Sequence, residues 1–168
     1  LDAAKRLRDA GAAIAFVMVG GGHERDRLAE RVRAEGLEAS VTMLAPIPKR
    51  QIPSFLAGID IAYIGWQRVP IYRFGIAPNK LMDYMMARCA VLHSVDAGND
   101  PVAEAGCGVT VPPEDTAAVV DGLLQLAALS AGQRRAMGER GRAFVLDRHT
   151  YPVLAQRFVQ ALGGPGVA

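Results

Sequence analysis

A parallel, doubly wound α/β sheet is the fold this sequence predicts, on three observations. Short apolar runs alternate with charged, helix-period segments along the chain. The runs end in glycine or proline turns, and no repeat or internal linker divides the whole. The length, 168 residues with 51% hydrophobic and 21% charged side chains, suits one domain with an ordinary core.

The elements follow in order. Leu1 to Asp9 is a short helix with Leu7, Ala3, Ala4 and Ala10 along one side and Gly11 as its stop. Ala13 to Val19 is nearly continuous apolar sequence, the pattern of a parallel strand buried on both faces. His23 to Glu35, with Leu28 and Val32 as its apolar stripe, is an exposed amphipathic helix. A strand at Ser40 to Leu44, a helix at Lys49 to Ala57 and a strand at Ile59 to Ile64 come next. Gly65 to Pro78 has no period and is a loop of functional length. Asn79 caps a helix from Lys80 to Arg88, with Met82, Met85 and Met86 in the core. Cys89 to His93 is a strand, Asp100 to Ala105 a short helix and Gly108 to Val111 the last strand. Helices then run from Asp115 or Thr116 to Leu129, from Ala131 to Leu146 and from Thr150 to Leu162, before a Gly/Pro tail. The sum is a Rossmann-like layer sandwich over residues 1–162, with 163–168 as tail.

Charge narrows the function classes. Lys plus Arg number 19 against 17 Asp plus Glu, so there is no basic surplus of the kind that marks a nucleic-acid binder. No apolar run is long enough for a membrane span, and the two cysteines, Cys89 and Cys107, build no disulfide framework. No Cys/His cluster has metal-ligand spacing, so no metal and no cofactor is expected.

In such sheets ligands bind beyond the carboxyl ends of the strands. Gly20-Gly21-Gly22 follows a strand there, and its amides can meet phosphate oxygens or simply make a tight turn. Arg25 stands where a dinucleotide fingerprint needs its third glycine. Phe74-Gly75-Ile76-Ala77-Pro78-Asn79-Lys80-Leu81-Met82-Asp83 is the most informative stretch. Lys80 and Asp83 share a helix face in the first turn, either as a surface pair or as an anion and hydroxyl site. Asp96-Ala97-Gly98-Asn99-Asp100 and Glu104-Ala105-Gly106-Cys107-Gly108 are further turns at the same edge. There Glu104 is either a hydroxyl acceptor or a solvated carboxylate, Cys107 a small packed residue, and His93 a hydrogen-bonded structural histidine.

These stretches resemble a known family. Val17-Met18-Val19-Gly20-Gly21-Gly22 with its charged helix, Ser40 to Ile64, and above all Pro78-Asn79-Lys80-Leu81-Met82-Asp83-Tyr84-Met85 are similar to the C-terminal, donor-binding domain of GT-B, family-4-type (group 1) bacterial glycosyltransferases. The resemblance implies a retaining hexosyl or hexosaminyl transfer from a nucleotide-sugar, UDP-linked, to a glycan or lipid-linked acceptor in cell-surface polysaccharide or lipopolysaccharide synthesis. Gly20, Gly21 and Gly22 would lie near the phosphates and Ile47, in the Pro46–Pro48 loop, by the base. Phe74, Gly75, Ile76, Ala77 and Pro78, with Asn79, would surround sugar and diphosphate. Lys80 would stabilise the diphosphate, and Asp83 would contact ribose as the second acid of the family's paired-acid pattern. The first acid is absent, since Gly75 stands eight residues before Asp83.

The resemblance further implies an N-terminal acceptor domain and a first strand beyond this stretch, and an isolated fragment without activity. It implies a cytoplasmic enzyme, peripheral at the inner face of the membrane in its full-length form. Tyr151, Leu154, Phe158 and Leu162 form one stripe that covers either the domain's own sheet or the other half. A stand-alone module for a phosphorylated ligand and a GT-B sugar-nucleotide epimerase remain as alternatives.

Overall fold

The structure, a computed structural model, describes residues 1–163; positions 164–168 of the expected tail lie outside the described residues. The order is α1 (Asp2–Asp9), β1 (Phe16–Val19), α2 (Arg25–Ala34), β2 (Val41–Leu44), a 3-10 turn (Lys49–Gln51), α3 (Ile52–Leu56) and β3 (Ile61–Gly65). A second 3-10 turn (Pro70–Phe74) precedes α4 (Asn79–Met86), β4 (Ala90–Ser94), α5 (Pro101–Ala105), β5 (Gly108–Val111), α6 (Thr116–Ala128), α7 (Ala131–Arg148) and α8 (Tyr151–Leu162). Every expected strand and helix is present, with ends shifted by a few residues.

All strand pairing is parallel, as the alternation of strands and helices requires. The central strand is β4, in the order β3-β4-β5, with Ile64 beside His93 and His93 beside Thr110. All five of its residues are buried, because helices cover both of its faces. Val91 packs with Leu81, Met85, Val102, Cys107 and Val145 of α4, α5, α7 and the turn before β5. Its neighbours Ala90 and Leu92 point the other way, onto Leu7, Val111, Leu123 and Leu126 of α1, β5 and α6.

β1 and β2 form a separate pair, Phe16 to Val19 against Val41 to Leu44. The burial expected for the first strand is therefore not found: Val17 and Met18 are 43% and 36% exposed. The physical reason is that β1 has a hydrogen-bonding partner on one edge only. Its residues Phe16 and Met18, with Tyr63 of β3, border a cavity of about 310 Å³ that Leu1 to Ala4 and the first turns of α6 also line.

One smaller expectation changes, and one of two alternatives falls away. Met85 is fully buried and Met82 packs on the same cluster, but Met86, in the last turn of the helix, is 38% exposed. The stripe on α8 does not cover the sheet. Tyr151, Phe158, Val159 and Leu162 are all largely exposed, and no residue of that helix is buried.

α7 approaches the sheet through small residues. A Cβ at Gly138 would sit 1.8 Å from the Arg88 carbonyl oxygen, and Arg88 itself holds a positive φ of 63° just after α4. Gly138→Ala should therefore lower stability by about 1–3 kcal/mol through overpacking, read as a reduced denaturation midpoint; an unchanged midpoint would mean that α7 has room to retreat.

Candidate functional site

The loops after β3, β4 and β5 meet at the carboxyl end of the β3-β4-β5 sheet. Trp66 N–H donates to the Ser94 carbonyl at 3.0 Å, Val95 N–H to Val111 at 3.0 Å, and Ser94 Oγ to the Pro112 carbonyl at 3.1 Å. Arg68 adds an ion pair to Asp96 at 3.6 Å and a backbone bond to Glu114 at 3.1 Å. Trp66 and Tyr72 stack edge to face with centroids 5.2 Å apart. They wall, with Ile71 and Gly75 to Pro78, a cavity of about 280 Å³.

Gly75 to Pro78 thus borders a hollow, with Phe74 just before it in the chain and Asn79 and Lys80 just after. Ile76 is buried as the anchor of the loop, Gly75 has a φ of 108° that favours glycine, and Ala77, Asn79 and Lys80 are exposed. Phe74 is 76% exposed, with the Arg73 guanidinium 4.5 Å from its ring centre. The expected cap is corrected. Asn79 is the first helical residue, and Pro78, with ψ at 126°, occupies the N-cap position. A proline side chain accepts nothing, so α4 begins without a side-chain cap. The helices that follow β4 and β5 differ. Asp100 accepts from Val102 and Ala103 N–H, and Asp115 from Ala118 N–H.

Starting α4 one residue earlier also moves Asp83 beyond the first turn, which holds no acid at all. Lys80 therefore stands at a positive helix end with no carboxylate in that turn to balance it. Among the described residues neither Lys80 nor Asp83 enters an ion pair, so the surface-pair alternative is not formed. The amides of Asn79 and Lys80 lie in the first turn, where no intrahelical acceptor exists. Ala77 N–H likewise has no acceptor among the described residues.

Gly20, Gly21 and Gly22 lie after β1, on the other strand pair, and a Cβ at Gly21 would meet the Pro46 ring at 3.3 Å. The structure so brings the glycine turn to the loop that holds Ile47, which is half-buried. It places this second group apart from residues 74–83 in the hydrogen-bonded sheets.

The remaining candidates resolve structurally. His93 is fully buried, with Nδ1 3.2 Å from Asp100 Oδ1. Glu104 is exposed and pairs with Arg148 at 3.7 Å. Cys107 is buried, and burial pushes its thiol up to about 11, which keeps it from forming a thiolate nucleophile. No group of three metal-ligating side chains comes together among the described residues, and none of their helices is long and apolar enough to cross a membrane.

One residue of this site was not singled out from sequence. Asn99 accepts from Ile76 N–H at 2.7 Å and donates to the Ile76 carbonyl at 3.0 Å. Its only sequence signal is an asparagine in a glycine-bearing turn at the sheet edge.

Comparison with known proteins places these observations. The family described as glycosyl transferases group 1 matches residues 1–144. Sucrose-phosphate synthase from Thermosynechococcus elongatus shares the fold with a TM-score of 0.77 and 21% identity, over 96% of this chain and 41% of its own. The C-terminal domain of a glycosyl transferase group 1 family protein from Francisella tularensis gives 0.67 and 18%, over 89% of this chain and 77% of that one. Anabaena HepE, solved in complex with UDP and glucose, gives 0.66 and 15%, over 96% and 52%. The chain thus spans less than half of the synthase and about half of HepE. No curated protein sequence matches it.

Asp100 carries a pH prediction. Burial raises its carboxyl, but hydrogen bonds from His93, Thr110 and Ala103 N–H outweigh that and hold it at about 2, against an ordinary 3.8. A lowered carboxyl contributes stability above its ordinary value and loses that contribution as pH falls from about 4 through 2. Asp100→Ala should cost about 1–2 kcal/mol near neutrality by loss of the cap and should flatten the acid limb between those values. An acid limb as steep as that of the unaltered protein would remove Asp100 from this role.

Proposed function

Because the chain belongs to the glycosyl transferases group 1 family, we propose that it forms the donor-binding domain of a retaining glycosyltransferase. The enzyme moves a hexosyl or hexosaminyl group from a UDP-sugar to a glycan or lipid-linked acceptor, in surface polysaccharide or lipopolysaccharide synthesis on the cytoplasmic side of the membrane. The observation that carries this reading is the start of α4. Three unclaimed amides and an uncapped helix end, with Lys80 in the same first turn, follow directly on a hollow lined by Ile76, Ala77 and Pro78. Such an assembly suits the diphosphate of a nucleotide-sugar. UDP in the Anabaena protein of the same fold supports a uridine donor.

In this reading the Ala77, Asn79 and Lys80 amides and the Lys80 ammonium bind the two phosphates. As the bond from the anomeric carbon to the diphosphate oxygen breaks, negative charge grows on the leaving group. Groups already aimed at it lower the barrier without reorganising. Asp83, one turn further along α4, accepts ribose hydroxyls. Ile47 borders the base, the Gly20–Gly22 turn closes on the phosphates, and Phe74 and Gly75 face the sugar. The acceptor and its domain lie outside the 168 residues.

The divided sheet supports a strand beyond these residues. Among the described residues β1 and β3 each have one unpaired edge, and both border the 310 Å³ cavity. One parallel strand between them would satisfy both edges and join the two pairs into one sheet. The exposed stripe on α8 is in keeping with a second domain that covers it.

Three outcomes test the reading. Asp83→Ala should weaken UDP binding by about 1–3 kcal/mol in calorimetry, the scale of a removed charged hydrogen bond. Lys80→Ala should also weaken it, while leaving the ligand-free protein as stable or more stable, since a cation leaves a positive helix end. Unchanged UDP affinity in both variants would end the donor reading. The 168-residue chain alone should transfer no sugar, because transfer needs donor and acceptor held in one site; steady formation of glycosylated acceptor with matching release of UDP would contradict this.

A further inference from the structure

We propose that Asn99 is the positioning residue of the donor site, holding the Ile76 peptide groups so that the amides from Ala77 to Lys80 keep one orientation. The inference rests on the donor reading above and extends it to a residue outside the ligand contacts.

The geometry is that of a side chain acting as a strand partner. A carboxamide carries an acceptor and a donor side by side, and Asn99 uses one of each on a single residue. With both groups of Ile76 engaged and its side chain buried, neither peptide plane flanking Ile76 is free to turn. The next amide in the chain is Ala77 N–H, the first of the unclaimed three. Its direction is therefore set by Asn99, at one residue's remove.

The turn that bears Asn99 is itself fixed. Gly98 N–H donates to the Tyr72 carbonyl at 2.8 Å. A Cβ at Gly98 would lie 2.1 Å from the Arg73 carbonyl oxygen, so the two backbones touch where only glycine fits. On its other side Asp100 caps α5 and meets His93 on the buried strand. A line of fixed groups so runs from β4 through Asp100 and Asn99 to Ile76 and the start of α4. Without the carboxamide, the Ile76 N–H and carbonyl turn to water, and the loop is held at Gly75 and Gly98, which both donate to the Tyr72 carbonyl, and by the Ile76 side chain. The Ala77 amide, which shares its peptide plane with the Ile76 carbonyl, then samples many directions against the start of α4, and the ligand must order it on binding.

The test is calorimetric titration of the intact protein with UDP, together with amide hydrogen exchange. Asn99→Ala should weaken UDP binding roughly tenfold, the cost of misplacing binding groups by a fraction of an ångström. Exchange at Ile76 and Ala77 should quicken while β4 keeps its protection. Ser130→Ala, which removes a capping-box residue at the start of α7, is the control for lost stability and should leave UDP affinity unchanged. Should Asn99→Ala fail to fold, Asn99→Asp is measured in its place. It keeps the acceptor for Ile76 N–H, loses the donor to the carbonyl, and should also weaken binding.

If the unaltered protein binds UDP and the Asn99 variant binds it equally well, the positioning role is overturned and the donor reading stands. A loss matched by Ser130→Ala overturns the role too, since it would reflect stability alone. An unaltered protein that binds neither UDP nor GDP overturns the donor reading, and the role of Asn99 with it.

Discussion

The double-sided burial of β4 is the constraint on which the rest of this structure depends. Five consecutive residues have no access to water, so each backbone polar group there must find a partner in β3 or β5. That fixes the register of both neighbours, and with it the height at which the three following loops leave the sheet. Side chains of opposite parity then sort the helices, with α4, α5 and α7 packed against Val91 and α1 and α6 against Ala90 and Leu92. At the carboxyl end the same strand passes from apolar to polar within two residues. His93 and Ser94, both buried, tie it to Asp100 and to the Pro112 carbonyl. The site is built where a dry strand first meets groups that need hydrogen bonds.

Much of this was legible in the residues. Alternating apolar runs and helix-period segments gave the parallel α/β architecture, because burial on two faces and burial on one stripe leave different periods. The helices after β4 and β5 were placed at Asp100 and at Asp115 or Thr116, and the structure makes both aspartates caps one residue ahead of the helix. The burial of β1 was not legible. Its apolar run matches that of a central strand, and only pairing, which is non-local, determines whether water reaches Val17 and Met18. The cap of α4 was misread because Asn79 has the right chemistry, while Pro78 has the right backbone angle. In this turn the angle decides.

Asn99 was hidden for a different reason. Asparagine in a glycine turn usually bonds within its own turn, and nothing local shows that its carboxamide reaches a residue 23 positions earlier. The electrostatic character of the site was half visible. Lys80 could be placed near a helix start from sequence, but the lack of acid in the first turn depends on where that turn begins. A shift of one residue takes Asp83 out of the lysine's turn and leaves the positive end uncompensated.

The division of the strands has a consequence for cooperativity. β1, α2 and β2 are contiguous in sequence, β1 and β2 pair only with each other among the described residues, and Val32, Leu37 and Val41 form a small cluster with Ala4 of α1. They join the larger sheet through side-chain packing, chiefly of Phe16 and Ile14 on the Leu7–Leu92 cluster, without one shared ladder bond. Side-chain contacts alone are a softer coupling than a continuous ladder. Opening of the β1-α2-β2 unit breaks side-chain contacts and the bonds of Arg8 and Arg31 that tie it to α1, but no ladder bond of the β3-β4-β5 sheet. A strand laid between β1 and β3 would do more than fill a cavity: it would carry one ladder through both halves and couple them through the backbone.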